Sequence, residues 1–276
     1  MLTRIITAIV AIAVFLPVLY FSHTPVFAAV LALLCLIAVL EMLRCVGLWR
    51  KWVLTVPICL AAAVLPILPY WLARANVEQS MLLVALALAL YAFAAMTFSH
   101  GSIKFQDTAV AFVTTFYIIA CFTSLSVLRY GVAAGNYVYL ICFIGAWVTD
   151  TFAYFTGFLL GKHKLIPDVS PKKTVEGSIG GIVFCVASML LYGYIVSVIS
   201  KGELTPNYVL LGVSGLAISV VSQIGDLLMS AIKRTYDVKD YGRLFPGHGG
   251  VLDRFDSVLA VALVLFLITP FGNLFA

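Results

Sequence analysis

The stretch from Ser230 to Asp256 combines the side chains that phosphate and metal chemistry requires. It interleaves five basic residues with carboxylates, one His and four glycines, in a chain that is otherwise strongly hydrophobic. Carboxylates hold divalent cations, Lys and Arg neutralise phosphate oxygens, and glycines allow a backbone to approach a ligand closely. We therefore predict that this stretch, called the charged block below, binds a metal-bound polyphosphate and forms the active site.

Aspartates within or beside apolar segments are the candidates for holding the metal, because a charge inside a membrane span is costly and usually functional. Four residues meet this description: Asp150, Asp226, Asp253 and Asp256. Helical spacing places Asp226 on one face with Ser222, Ser230 and Lys233. We expect this polar stripe to face the protein interior.

Asp253 and Asp256 follow the turn Pro246–Gly250 and fall in the first turn of the last apolar segment. One acidic residue there would be explained by the helix dipole, whereas two, with Asp226 opposite, favour a metal site. The ligands are oxygens, without Cys or paired His nearby, so the set predicts Mg²⁺ or Mn²⁺ and not Zn²⁺. For His248, three roles stay open: a phosphate contact, a general base or a structural loop residue.

A second basic cluster lies between Gly161 and Gly177, after the segment that carries Asp150. Thr174 is predicted to cap the next helix, and a helix N-terminus beside Lys172 and Lys173 can bind an anion. A pair of lysines at the cytoplasmic end of a helix can also be explained by the positive-inside bias alone, without a role in binding. Because Asp150 precedes this cluster closely, we favour a functional role for Lys172 and Lys173.

The composition predicts an all-α, polytopic integral membrane protein. Of 276 residues, 63% are hydrophobic and 11% are charged, and the mean hydropathy of +1.11 is far above that of soluble domains. The six cysteines form no C-x-x-C pair, so we interpret them as small apolar residues and not as metal ligands or disulfide partners. About nine spans are expected, at roughly 5–21, 25–47, 52–72, 80–98, 108–130, 136–159, 176–199, 207–232 and 251–272.

The distribution of basic residues predicts the orientation of these spans. Fourteen of the 17 Lys and Arg residues fall with the N-terminus and the loops after every second span. The positive-inside rule then places these loops in the cytoplasm and the C-terminus outside. We divide the chain into N-terminal helices over 1–135 and a catalytic region over 136–276, with cytoplasmic loops at 160–175 and 233–250.

Motifs in the charged block resemble the signature of the CDP-diacylglycerol synthases, also called phosphatidate cytidylyltransferases. In order, they are Ser230-x-x-Lys233-Arg234, Lys239-Asp240, Pro246-x-His248-Gly249-Gly250 and Asp253-Arg254-x-Asp256. Upstream, Asp150, Gly157, Gly161-Lys162 and the stretch from Ser170 to Gly177 also look like that family. The resemblance covers roughly residues 145–276.

The resemblance implies that CTP and phosphatidic acid react to give CDP-diacylglycerol and pyrophosphate at the cytoplasmic side of a bacterial inner membrane. It implies Mg²⁺ as cofactor, with Mn²⁺ as an alternative and K⁺ as a further ion. The partners expected are CTP, phosphatidic acid and membrane lipids, with no nucleic acid, and a homodimer is left open.

The predicted site residues fall into three groups. The metal ligands are Asp150, Asp226, Asp253 and Asp256, of which Asp226 and Asp253 match the family's ligands by position. Assigned to catalysis are Lys233, Arg234, Lys239, Asp240, His248 and Arg254. Assigned to substrate binding are Ser170, Lys172, Lys173, Thr174, Ser222, Ser230, Gly249 and Gly250.

Two alternatives remain at the level of sequence. One is another CTP-dependent membrane enzyme, such as a dolichol-kinase-like enzyme or an archaeal ether-lipid cytidylyltransferase. The other is an ion-coupled transporter in which Asp150 and Asp226 bind the ion. Against the transporter, the carboxylates lie near the cytoplasmic ends of their spans, and the chain shows no internal repeat.

Overall fold

A computed structural model describes the backbone of residues 2–276 and the side chains of residues 6, 7 and 9–276. In this part of the chain, nine long helical segments follow the nine predicted spans, which confirms the all-α membrane architecture. The helices are α1 Leu2–Tyr20, α2 Pro25–Cys45, α3 Trp52–Val64, α4 Leu68–Trp71, α5 Arg74–Phe98, α6 Phe105–Tyr130, α7 Gly135–Val138, α8 Leu140–Leu160, α9 Val175–Ile199, α10 Tyr208–Thr235 and α11 Leu252–Ile268. Among the described residues, eight segments are long and apolar enough to cross a membrane.

Proline explains why the predicted span at 52–72 is built from two helices. α3 passes through a 3₁₀ turn at Leu65–Ile67 into the short α4. Pro66 and Pro69 both lack a backbone N–H, and two such losses within four residues disfavour regular α-helical hydrogen bonding here. The two pieces together cover the predicted span at 52–72.

A small β-hairpin occupies the loop between α8 and α9, which the sequence patterns did not reveal. Strand β1, Lys164–Ile166, pairs antiparallel with β2, Ser170–Thr174. Lys164 lies opposite Thr174, and an irregularity in the pairing follows it. The hairpin presents the second basic cluster on an ordered element directly before α9.

The chain folds as two compact units. Unit 1 comprises the chain up to Val127 together with Tyr236–Arg254, and unit 2 comprises Leu128–Thr235 together with Phe255–Ala276. The charged block is thus shared between the units, and its loop belongs with the N-terminal helices. The predicted division near residue 135 does not anticipate this.

In unit 1, α2 packs along α3 and the turn that follows it. The fully buried side chains of this unit include Phe27, Met42 and Leu43 of α2 and Leu54 of α3. α5 is mostly outside this core, since Val77 and Ala92 are its buried residues. The core therefore gathers around α2, the helix that also reaches the loop of the charged block.

In unit 2, small residues bring α8, α9 and α10 together. A Cβ atom at Gly181 would lie 3.0 Å from the Thr149 carbonyl oxygen, and one at Gly215 would lie 3.0 Å from Met189. Gly180 lies against Thr156 with even less space. Glycine at positions 180 and 181 is what permits α9 to pack this closely against α8.

Candidate active site

Three aspartates from three helices form a carboxylate cluster in unit 2. Asp150 lies on α8, Asp226 on α10 and Asp256 on α11, and each is close enough to another to experience its negative charge. Gly225 makes the approach of α10 and α11 feasible, because a Cβ there would lie 2.9 Å from the Asp256 carbonyl oxygen. Nearby positive charge offsets the mutual repulsion of such carboxylates.

Lysines supply positive charge to this cluster. The Nζ atom of Lys173 lies 2.6 Å from Oδ2 of Asp226 and 3.4 Å from the Gln223 carbonyl oxygen. Lys233, in the last turn of α10, is close enough to Asp256 to exert an attractive charge on it. The second basic cluster and the α10 aspartate thus meet within unit 2.

The polar stripe on α10 has the helical spacing that the sequence predicts. The Ser230 hydroxyl lies 3.5 Å from Oδ1 of Asp226. Ser222 is fully buried, and its hydroxyl has no hydrogen-bond partner among the described residues. A buried hydroxyl without a hydrogen-bond partner has an oxygen available to a cation or a ligand.

The carboxylate and hydroxyl oxygens of this cluster are of the type that a divalent cation requires. Carboxylates and hydroxyls are the ligands of Mg²⁺ and Mn²⁺, so the chemistry of the cluster fits a hard cation. As the side chains stand, no group of three or more His, Cys, Asp or Glu residues within the described chain converges into a metal-binding arrangement. Metal binding by Asp150, Asp226, Asp253 and Asp256 stays a prediction.

Thr174 ends the hairpin and begins α9 in the way the sequence predicts. Its Oγ1 atom accepts a hydrogen bond of 3.1 Å from Gly177 N, which is an N-cap. A Cβ at Gly157 would lie 2.7 Å from this hydroxyl, so the capping residue is tightly enclosed. Thr174 is buried, and its hydroxyl is engaged in the fold; its assignment to substrate binding stays a prediction.

Glu176 holds the other end of the hairpin, a role that the sequence analysis missed. Its Oε2 accepts hydrogen bonds from Lys162 N at 3.1 Å and His163 N at 3.2 Å. Its Oε1 lies 2.6 Å from His163 Nδ1. The sequence feature that could have indicated this role is an acidic residue two positions after the capping Thr174. Lys172 of the same hairpin is exposed, and Ser170 is partly buried.

In unit 1, the turn Phe245–Gly250 is closed by its own backbone. Phe245 N donates to Gly249 O at 2.9 Å, and His248 N donates to Phe245 O at 2.8 Å. Gly247 and Gly249 have φ angles of 76° and 89°, which favour glycine. The His248 Nδ1 atom is buried without a hydrogen-bond partner in the described chain, so its three candidate roles stay open.

Asp253 organises this turn through backbone amides. Its Oδ2 accepts hydrogen bonds from Tyr241 N at 2.8 Å and Gly250 N at 2.9 Å. The side chain is 8% exposed. The Gly250 amide is therefore already engaged, whereas the exposed Lys239, Asp240 and Arg243 extend from the loop and the exposed Arg254 from the first turn of α11. Arg234 is also exposed, at the end of α10.

Glu41 was missed by the sequence analysis. It lies on α2, is 4% exposed, and accepts hydrogen bonds from Val251 N at 3.1 Å and Leu252 N at 3.0 Å. The available signal was simple: Glu41 is the one acidic residue in the predicted span at 25–47. A charge inside an apolar segment should have placed it with the four aspartates.

The fold and the charged clusters define an integral membrane protein with acidic and basic side chains grouped at helix ends. The sequence profile of the Cytidylyltransferase family matches residues 2–271. The chain is 34% identical over 273 residues to a phosphatidate cytidylyltransferase of Staphylococcus haemolyticus, covering 96% of this chain and 97% of the relative. It is 35% identical over 268 residues to the Staphylococcus aureus protein of that name, with 96% and 97% covered.

A phosphatidate cytidylyltransferase of Bacillus subtilis is 40% identical over 172 residues, covering 61% of this chain and 60% of the relative. The chain belongs to the cytidylyltransferase family. It is therefore a nucleotidyltransferase, and the resemblance seen in the motifs is confirmed. The transporter alternative has no support from these relatives.

Proposed function

We propose that this chain is a phosphatidate cytidylyltransferase, which makes CDP-diacylglycerol and pyrophosphate from CTP and phosphatidic acid. The observation that carries the proposal is the similarity to proteins of that name over 96% of the chain. The clusters of unit 2 support it, because they combine acidic and basic groups as a reaction between two polyanions requires.

In the proposed reaction, a phosphate oxygen of phosphatidic acid attacks the α-phosphorus of CTP. The new P–O bond forms as the bond between the α-phosphorus and the bridging oxygen breaks, and pyrophosphate leaves with that electron pair. The attacking oxygen is already anionic, so no Ser or Cys nucleophile is required. What the protein must do is orient the two phosphates and offset their repulsion.

Lys173 and Lys233 are well placed to offset the repulsion between the two phosphates. Both lie beside the carboxylate cluster, and Lys173 is only partly exposed, with a relative side-chain exposure of 24%. Partial burial strengthens the interaction of an ammonium with phosphate oxygens relative to one in bulk water. Release of Lys173 from Asp226 would make its charge available to an incoming phosphate.

A divalent cation would be held by Asp226 and Asp253, the two positions that match the family's ligands, and Asp256 and Asp150 are the further predicted ligands. When bound, such an ion supplies charge neutralisation for the phosphates. The protein's own contribution is to bring three carboxylates from separate helices together. Mg²⁺ is the expected ion, and Mn²⁺ and an additional K⁺ stay alternatives.

Unit 1 would contribute the basic side chains of its loop. Lys239, Arg243 and Arg254 are exposed on a backbone that Asp253 and Glu41 fix by hydrogen bonds. Their number exceeds what one lipid phosphate can engage, so we assign them to the triphosphate and the departing pyrophosphate. Lys172, on the hairpin of unit 2, is assigned to the binding of one substrate.

The proposed location is the cytoplasmic side of a bacterial inner membrane, with the C-terminus outside. The support is the charge asymmetry, 14 basic residues against three, together with bacterial relatives. Membrane lipids surround the helices in this proposal. A homodimer stays a prediction.

Pyrophosphate release in detergent tests the proposal directly. The purified chain is incubated with CTP and Mg²⁺, with and without phosphatidic acid, and CDP-diacylglycerol is identified by mass spectrometry. We expect release that requires phosphatidic acid and equals the nucleotide-lipid formed. Diacylglycerol or dolichol serves as the control acceptor. Formation of CDP and dolichyl phosphate with dolichol, without pyrophosphate release with phosphatidic acid, would assign the chain to another CTP-dependent lipid enzyme.

A further inference from the structure

A carboxylate of the N-terminal half lies buried against the charged block. Glu41 belongs to α2, yet its two oxygens accept from the backbone amides of Val251 and Leu252, at 3.1 and 3.0 Å. A carboxylate that is 4% exposed is costly unless such hydrogen bonds compensate it. The contact spans more than 200 residues of sequence and joins α2 to the start of α11 within unit 1.

Asp253 completes the arrangement from the other side of the turn. It accepts from Tyr241 N at 2.8 Å and Gly250 N at 2.9 Å. Glu41 and Asp253 together engage four backbone N–H groups at the two ends of the loop. The first amides of α11 would otherwise be a natural phosphate site. Because carboxylates of the protein accept from the amides of Gly250, Val251 and Leu252, these three amides are not free to bind a phosphate.

The Glu41 carboxylate explains why two residues of the loop are glycines. A Cβ atom at Gly242 would lie 2.6 Å from Glu41 Cδ, and one at Gly250 would lie 2.5 Å from Glu41 Oε2. Neither glycine has a positive φ angle. The backbone conformation therefore permits alanine at both positions, and it is the Glu41 carboxylate that excludes it.

The N-terminal helices make a further contact with this loop. The Thr7 hydroxyl donates to the Pro246 carbonyl oxygen at 2.9 Å. Arg44, one turn after Glu41, exerts an attractive charge on the Glu41 carboxylate. The loop is thus held by α1 and α2, and not only by its own turn.

We infer that Glu41 is a positioning residue: its carboxylate fixes the loop at Gly242 and Val251–Leu252 and thereby holds the loop's basic side chains and Asp253 in place for nucleotidyl transfer. The part of this inference that concerns nucleotidyl transfer rests on the proposed function. The contact between Glu41 and the loop does not depend on it. The positioning role of Glu41 assigns part of the catalytic machinery to the N-terminal half, where the motifs of the family resemblance do not reach.

Amide hydrogen exchange of the detergent-solubilised chain tests whether Glu41 holds the loop. We expect Glu41→Ala to speed exchange across residues 241–252 by about tenfold or more, the scale of losing a hydrogen bond to a charged group. Glu41→Gln, which keeps one acceptor oxygen, should give a smaller change. Glu78→Ala is the matched control, since Glu78 of the same unit pairs with Arg74 at the surface. Unchanged exchange in Glu41→Ala would overturn the inference.

Kinetics of the same variants test whether the held loop matters to the reaction. Misplacing catalytic groups by about 1 Å costs roughly 100-fold in rate, so Glu41→Ala should lower kcat by about 10- to 100-fold at unchanged insertion, when assayed well below the melting temperature of the variant. Glu41→Gln should recover part of the loss. Faster exchange with unchanged kcat would restrict Glu41 to a structural role and would overturn its positioning role.

A double-mutant cycle isolates the contact itself. Gly242→Ala should loosen the loop in the chain that retains Glu41, because the new methyl group meets the carboxylate. In the Glu41→Ala background it should add no further change in exchange, since the obstacle is gone. Equal effects in both backgrounds would show that Glu41 does not confine Gly242. If the unaltered chain released no pyrophosphate with phosphatidic acid, the proposed function would fail, while exchange and the cycle would still decide the contact.

Discussion

Asp226 is the residue at which the two charged segments of unit 2 meet. It pairs with Lys173 of the hairpin at 2.6 Å, lies 3.5 Å from the Ser230 hydroxyl, and acts electrostatically on Asp150 and Asp256. The pair is partly exposed, so its contribution to stability is small and its value lies in placing charge. A cation or a substrate phosphate can exchange with one of its partners.

Asp226→Asn should lower kcat by at least about 100-fold, the scale of removing one preorganised electrostatic group. Asp253→Asn should have a similar effect, because Asp253 is both a predicted metal ligand and the acceptor of two loop amides. Pyrophosphate release with a graded Mg²⁺ concentration measures this. Asp237→Asn, at an exposed loop position, is the control. Near-normal turnover of both active-site variants in the presence of EDTA would refute the metal prediction.

Arg254→Ala and Lys172→Ala should differ in which kinetic constant they change. Contacts made only in the transition state affect kcat, and contacts made equally in the ground state affect KM. Arg254, beside Asp253, should affect kcat strongly, whereas Lys172 on the hairpin should mainly raise KM for one substrate. Steady-state kinetics with each substrate varied in turn decide this. A change confined to the KM for phosphatidic acid in Arg254→Ala would reverse the assignment of nucleotide and lipid.

At the scale of elements, the hairpin and α9 are held by two local devices. Thr174 caps α9 by accepting from Gly177 N, and Glu176 binds the amides of Lys162 and His163. Both lie within three residues of Lys173. The position of that lysine therefore depends on the start of α9 and not only on its pairing with Asp226.

Thr174→Val should destabilise the start of α9 by about 1 kcal/mol, the usual value of an N-cap hydroxyl. Lys173 should then be held less firmly, so activity should fall as well. Thr174→Ser, which retains the hydroxyl, is the matched control. Limited proteolysis at 161–174 and thermal unfolding in detergent measure the effect. Equal behaviour of the Val and Ser variants would show that the cap is dispensable.

At the scale of the whole molecule, the charge count predicts the face on which the loops lie. A Cys introduced at Val169 or Val238 should react with an impermeant maleimide only after the inner face is opened. Glu203→Cys, in the exposed connection before α10, should react in intact cells. The unaltered chain, with its six free cysteines, gives the background. Labelling of Val169→Cys or Val238→Cys in intact cells would overturn the topology.

The sequence by itself determined the helices, because their signals are local. Long apolar runs separated by polar breaks predicted nine spans, since burying backbone polar groups in lipid requires helices of that length. The Thr174 cap and the α10 stripe were also predicted, because both depend on residues within one or two turns of a helix. Residues 145–276 carried the motifs from which the family could be inferred.

Only the tertiary structure decided which distant residues meet. It brought Lys173 to Asp226, and it buried Glu41 of α2 against the amides of Val251 and Leu252. It also gave the loop at 236–254 to the unit of the N-terminal helices, across the predicted boundary at 135. These outcomes depend on packing between helices far apart in the chain, where shape and small residues such as Gly225 and Gly242 set the approach. Local periodicity carries no information about such contacts.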